Sequence, residues 1–220
     1  MNADFRHVDT WLFDLDNTLY RVESGFMGEI ERRMTAYVGR VAGLAHDEAY
    51  KLQKAYFAEY GLTLRGLVEH HGVEPAEFHA IFHDVSLEAL TQDAELVAAI
   101  SRLPGRRLIF TNADEVHARR VLEHLGLADL FEDVFHIGSA DYLPKPNIAT
   151  FEKLNAAHAI APKTTVFFED SERNLKPAAD LGMTTVLVGP HAAASTAPFI
   201  DYKTNNLASF LSDARLKKAP

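Results

Sequence analysis

The chain has 220 residues, 47% hydrophobic and 24% charged, with a formal net charge of −9, an ordinary composition for a globular protein able to bury a sizeable core. An acidic balance without a basic run argues against nucleic acid or a membrane surface as partner, and the absence of cysteine excludes disulfides and thiolate metal sites. The start, MNADFRHVDTW, has no basic segment leading into an apolar one, and no apolar run approaches the ~20 residues of a membrane span, so a cytoplasmic protein is expected.

The first predicted strand, residues 10–14 (TWLFD), is apolar on both faces and stops on Asp14, with Asp16 two residues on. From about 18 to 90 no convincing strand occurs. The segments GFMGEIERRMTAYV, HDEAYKLQKAYFAEY, LTLRGLVEHH and EPAEFHAIFHDV read instead as helices, separated by turns near Gly43, Gly61 and Gly72. That is more than a crossover needs. It predicts an α-helical cap domain over 18–92, inserted between core segments 1–17 and 93–220. Phe26, Met27 and Met34 can line a substrate pocket, but at helical spacing they better suit the cap's own core. His79 and His83 are four apart on a predicted helix, near His70 and His71, but no carboxylate pattern or cysteine accompanies them to make a zinc site.

A helix over 93–103 (DAELVAAISRL) leads back toward the sheet through a turn at Pro104 and Gly105. Short apolar runs then recur at 107–111 (RLIFT), 133–137 (DVFHI), 165–169 (TVFFE) and 185–189 (TVLVG). Helical patterns separate the runs. In ADEVHARRVLEHLGL, Val116, Val121, Leu122 and Leu125 share a face and Gly126 marks the end. In PNIATFEKLNAAHA, Ile148, Phe151 and Leu154 recur at a spacing of three after a cap at Asn147. In SERNLKPAADLGM, Pro177 belongs in a first turn, so the helix is predicted to start near Asn174, capped by Asn174, with 169–173 a loop. One short helix follows at about 207–214. Strand, loop and helix in repetition predict an α/β fold, a doubly wound Rossmann-like parallel sheet.

In such sheets ligands bind beyond the carboxyl ends of the strands. Those ends deliver Asp14, Asp16 and Thr18, then Thr111 and Asn112, then Lys145, then Glu169 and Asp170. Carboxylates suit a hard cation, and Mg²⁺ needs few of them beside a phosphate. A carboxylate can also act as nucleophile. Asp14 and Asp16, two apart on an extended chain, point the same way about 6.6 Å apart. Asp14 can take the nucleophile's part and Asp16 the proton's, with Lys145 and Thr111 holding phosphoryl oxygens. Plainer readings exist: an aspartate turn after a strand, a surface lysine, or Thr111 and Asn112 capping the next helix. Glu169, diverging from Asp170, fits a supporting position or a metal contact through water.

The segments FDLDNTLY, FTNA, the Lys145-Pro146 pair and FFEDSERN resemble, in order, the four motifs of the haloacid dehalogenase superfamily. The resemblance covers about 8–20 and 93–190. It implies Asp14 as nucleophile, Asp16 as general acid and base, and Thr111, Asn112 and Lys145 at the phosphate. It implies Mg²⁺ on Asp14, Asp170 and the main-chain carbonyl of Asp16, with Glu169 and Asn174 in support. A second aspartate in the first motif implies a phosphohydrolase or phosphomutase rather than a dehalogenase. DLDNTLY, FTNADEVHARRVLEHLGLADLFE and FFEDSERNLKPA look most like the pyrimidine 5′-nucleotidase group, which implies a small phosphorylated substrate. A sugar-phosphate or phosphoglycolate phosphatase, or a phosphomutase, is the alternative within enzymes. Outside them stands a phospho-accepting signalling module, which needs no helical insertion. The oligomeric state is left open.

Overall fold

The computed structural model describes residues 2–217; Met1 and residues 218–220, the outermost parts of the expected core segments, lie outside the described residues. The chain divides into two compact units, Met1–Val22 with Leu90–Pro220, and Glu23–Ala89. The division falls after Val22 rather than after residue 17, because residues just past the first strand stay bound to it: the Thr18 hydroxyl donates to Asp14 and the Tyr20 hydroxyl to Asp16.

In the first unit six strands form one parallel sheet. In chain order they are β2 (Thr10–Phe13), β3 (Arg106–Phe110), β4 (Asp133–Phe135), β5 (Thr165–Glu169), β6 (Thr184–Val188) and β7 (Tyr202–Thr204), following a short β1 (Asp4–Phe5). Their order across the sheet is β4-β3-β2-β5-β6-β7. This is the doubly wound pattern, growing outward from β2 and then reversing to its other side, so the switch point lies between β2 and β5. Register sets Phe13 opposite Ile109 and Phe168. The residues that follow, Asp14 on one strand and Glu169 on the other, therefore arrive side by side. β1 pairs in parallel with β8 (Arg215–Leu216) as a separate two-stranded sheet.

The apolar runs are buried on both faces, as a parallel sheet requires. On one face Leu12, Leu108, Phe110 and Phe167 pack with Phe151 and Leu154 of α7 (Ile148–His158) and Leu175 and Ala178 of α8 (Glu172–Asp180). On the other, Phe13 stacks on Phe168 at 4.6 Å, and Phe5, Trp11 and Phe210 join them. Each fully buried aromatic of this kind is worth ~1.5–3 kcal/mol. At the turn before β3, Gly105 has φ +84, and a Cβ there would lie 2.2 Å from the Asp9 carbonyl oxygen; only glycine fits.

Three sequence expectations shift. The helix after β5 starts at Glu172 with Ser171 as cap, and Pro177 lies inside it. The side chain that holds this helix start is Glu169, whose Oε1 accepts from the Ser171 main chain and the Asn174 amide, both at 3.1 Å. Pro177 lacks the amide that would serve the carbonyl four residues before it, in the first turn, so the cost is confined to one ladder bond. The helix before β4, α6 (Glu115–His124), is capped by Asp114, whose Oδ1 accepts from Val116 and His117. Val116 and Ile148, expected on buried faces, are 45% and 42% exposed; each sits in the first turn of its helix, ahead of the buried stretch. Asn147 caps α7 as expected, accepting from Ala149.

The second unit is helical: α1 (Phe26–Ala42), α2 (His46–Tyr60), α3 (Thr63–His71) and α4 (Pro75–Ala80). Phe26, Ile30, Val38, Leu64, Leu67 and Phe78 are buried in it. Gly66 of α3 meets the Tyr56 ring of α2, where a Cβ would lie 2.2 Å from the ring. His70 and His71 bond the hydroxyls of Tyr60 and Tyr56. Helix α5 (Ala94–Ser101), capped by Asp93, and α9 (Leu207–Ser212) complete the first unit. Among the described residues no helix is long and apolar enough to cross a membrane.

Candidate active site

At the switch point β2 ends and the Asp14 amide still donates to Phe168 of β5 at 2.9 Å. This last ladder bond pins the Asp14 backbone beside Glu169. Asp14 is 6% exposed and Glu169 and Lys145 1% each. Lys145 reaches in from the loop between β4 and α7. Its ammonium donates to Asp14 Oδ1 at 2.8 Å, Glu169 Oε2 at 2.7 Å and the Phe110 carbonyl at 2.7 Å. All three of its protons are thus used, as a buried cation demands. Thr18 Oγ1 donates to the other Asp14 oxygen at 3.2 Å.

Lys145 is itself held in place. Its main-chain amide donates to Asn112 Oδ1 at 2.8 Å, and Asn112 Nδ2 donates to its carbonyl at 3.2 Å. The Asn112 side chain, expected at a phosphate, is thereby engaged with the lysine backbone. Thr111 is buried beside it, and its hydroxyl oxygen accepts from the Ala113 amide at 3.0 Å. Glu169, bonded through one oxygen to Lys145 and through the other to Ser171 and Asn174, ties the lysine to the start of α8.

Three carboxylates, Asp14, Glu169 and Asp170, each bring one oxygen into a group spanning no more than 4.8 Å. Lys145 neutralises only part of their charge. Burial raises the Asp14 carboxyl to about 7, with Glu169 adding to the rise and Lys145 opposing it. Burial likewise raises Glu169 to about 7, against Lys145 and with Asp170. Asp170 is raised to about 6 by burial and then by Asp14. Oδ1 of Asn17, a residue at φ +62 next to Asp16, is buried without a hydrogen-bond partner. Excess buried carboxylate and an unmet oxygen are what an oxygen-loving divalent cation relieves. Among the described residues this is the one converging group of metal-ligating side chains, and the histidines of α3 and α4 form none.

Asp16 stands in a different environment. Its Oδ1 accepts from the Tyr20 hydroxyl at 2.7 Å and lies 2.9 Å from His117 Nε2. Burial pushes its carboxyl up, but His117 and Tyr20 outweigh burial and hold it below the ordinary range. His117 moves the other way: burial lowers it, and the Asp16 carboxylate more than restores it. Two aspartates two residues apart are thus driven in opposite directions, Asp14 toward the protonated form and Asp16 toward the ionised one. Sequence reasoning passed over His117. It sits in the first turn of α6 after FTNA, and its partner is 101 residues away.

The sequence profile of haloacid dehalogenase-like hydrolases matches residues 8–182. Phosphate metabolism protein 8 of Saccharomyces cerevisiae is 28% identical over 193 residues, which are 80% of this chain and 60% of that protein. The chain thus spans less than two thirds of that relative's length. A HAD phosphatase from Thermococcus onnurineus has a similar fold, with a TM-score of 0.65 at 18% identity, covering 98% of this chain and 100% of that one. So has the putative HAD-hydrolase YfnB from Bacillus subtilis, bound to magnesium, with a TM-score of 0.64 at 14% identity over 95% and 98% of the two chains. With the profile spanning most of its length and a doubly wound sheet that brings acidic groups to the switch point, this chain belongs to the haloacid dehalogenase-like hydrolases.

Proposed function

We propose that the protein is a Mg²⁺-dependent phosphomonoesterase that works through an aspartyl-phosphate on Asp14. The observation that carries this reading is the pairing of Asp14, bonded to Lys145 among acidic neighbours, with Asp16, bonded to His117 and Tyr20 instead. The Asp14 carboxylate attacks phosphorus as the bond to the leaving oxygen breaks. Asp16, held ionised in the resting site, takes a proton from the arriving phosphate monoanion and passes it to that oxygen. Asp16 then takes a proton from water, which attacks phosphorus and releases phosphate and free Asp14. Lys145 and Thr111 hold the phosphoryl oxygens, and Asn112 fixes Lys145. Asp14, Asp170 and the Asp16 main-chain carbonyl would hold Mg²⁺, supported by Glu169 and Asn174. The ion's contribution is neutralisation of phosphoryl charge.

The substrate we assign is a nucleoside 5′-monophosphate, pyrimidine before purine. Support comes from the likeness of the three motif-flanking segments to the pyrimidine 5′-nucleotidase group, and from a relative whose name places it in phosphate metabolism. The helical unit 23–89 is assigned substrate selection. Phosphate release from UMP, CMP, AMP, sugar phosphates and phosphoglycolate tests the assignment. UMP and CMP should lead in kcat/KM, and preference for a sugar phosphate would overturn it. Asp14→Asn should abolish turnover of every substrate; appreciable residual activity would remove the covalent route.

A further inference from the structure

We propose that His117 and Tyr20 are positioning residues that aim Asp16, fixing one carboxylate oxygen so that the other is presented to the leaving group. The inference rests on the reading of Asp16 as the general acid and base.

Both contacts converge on a single atom. The Tyr20 hydroxyl and His117 Nε2 meet Asp16 Oδ1 at 2.7 and 2.9 Å. Oδ2 has no hydrogen-bond partner among the described residues, and the Asp16 side chain keeps 20% of its surface exposed. A carboxylate on a short side chain rotates about two torsions. A ring nitrogen and a phenol, both on one oxygen, stop that rotation and leave one oxygen as the proton's only outlet. The two anchors come from different places. Tyr20 belongs to the segment that follows β2, and His117 to the first turn of α6. Both are themselves buried, at 7% and 5% exposure, so their own positions are set by packing. The α6 anchor is fixed further by its cap, since Asp114 accepts from the His117 amide at 3.2 Å. The segment carrying Thr111 and Asn112 leads directly into this helix. One run of chain therefore holds Lys145 at its start, through Asn112, and Asp16 at its end, through His117.

General acid catalysis contributes about 10²–10⁴-fold, and a misplaced group forfeits much of it. The benefit depends on the leaving group. An alkoxide leaving from a nucleotide needs the proton; nitrophenolate leaves without it. The variants are His117→Leu, which removes the donor, and His117→Gln, which restores an amide nitrogen near the position of Nε2. In single-turnover experiments with UMP, His117→Leu should form the phosphoenzyme about 30-fold more slowly, with KM for UMP changed less than threefold. With p-nitrophenyl phosphate the burst of nitrophenolate should fall less than threefold. His117→Gln should recover most of the loss on UMP. Tyr20→Phe, which deletes one hydroxyl, should show the same split in smaller measure, and it decides the matter if the leucine variant does not fold. Equal losses on both substrates, no loss on either, or a change confined to KM would overturn the proposal. The parent reading fails separately: Asp14→Asn with retained turnover would refute the phosphoenzyme and leave the aryl–alkyl comparison standing.

Discussion

Removing the proposed nucleophile should make the metal-free fold more stable. Asp14 bonds Lys145 in the interior, and loss of a buried ion-pair partner usually costs 3–5 kcal/mol by stranding the other charge. Here Lys145 is not stranded, because Glu169 and the Phe110 carbonyl keep two of its three protons. The amide of Asp14→Asn still offers an oxygen to it. The ionised aspartate, meanwhile, is costly. A carboxyl raised from 3.8 to about 7 by burial and by Glu169 burdens the fold by ~4 kcal/mol at pH 8, where it is charged in both states. Against this stands the exchange of a carboxylate acceptor for an uncharged amide oxygen opposite the Lys145 ammonium, ~1–2 kcal/mol. The balance is a gain of ~2 kcal/mol, or ~4–8 °C in Tm. Because the folded carboxyl titrates above the unfolded one, the native state binds more protons between the two values. Wild-type stability from this group therefore rises as pH falls from about 7 toward 4, and the variant's advantage shrinks over that window. Thermal unfolding in excess chelator at pH 8 and pH 5 measures both. A variant less stable than wild type at pH 8, or an advantage independent of pH, would refute the reasoning.

Two further outcomes follow from the geometry. Asp170→Asn removes one of the three converging carboxylates, so the Mg²⁺ concentration for half-maximal activity should rise at least tenfold; titration of activity against Mg²⁺ reads it, and an unchanged midpoint contradicts the assignment. Gly105→Ala forces a methyl against the Asp9 carbonyl at a positive φ, and should cost ~2–4 kcal/mol in urea unfolding with catalytic constants unaltered in the folded fraction.

The strands of the core were readable because each is a short apolar run buried on both faces. β7 was not: Tyr202–Thr204 is a partly exposed edge strand of three residues that, among the described residues, pairs with β6 alone. The two-residue strands β1 and β8 carry no period at all. Pro177 misled the reading of α8, since local propensity places it in a first turn while Glu169, a tertiary partner, fixes an earlier start. The acidic and basic residues at strand ends stood out by position. What they touch did not, because Asn112 meets Lys145 33 residues away and His117 meets Asp16 101 residues away. Such contacts are set by the strand order, which no local pattern encodes.

That strand order also dictates a timetable. Of the six strands in the main sheet β2 is synthesised first, yet its neighbours begin at Arg106 and Thr165, and β1 waits for Arg215. Emerging from a ribosome, the central strand has no sheet partner until about residue 110, half of these 220 residues, has been made. The helices of 23–89 make their contacts with near neighbours in sequence and can form early, since local contacts close fastest. An apolar TWLF segment must therefore stay unpaired through that interval. Asp9, Asp14 and Asp16 flank it closely, and charges so placed oppose association of an exposed apolar segment with other chains.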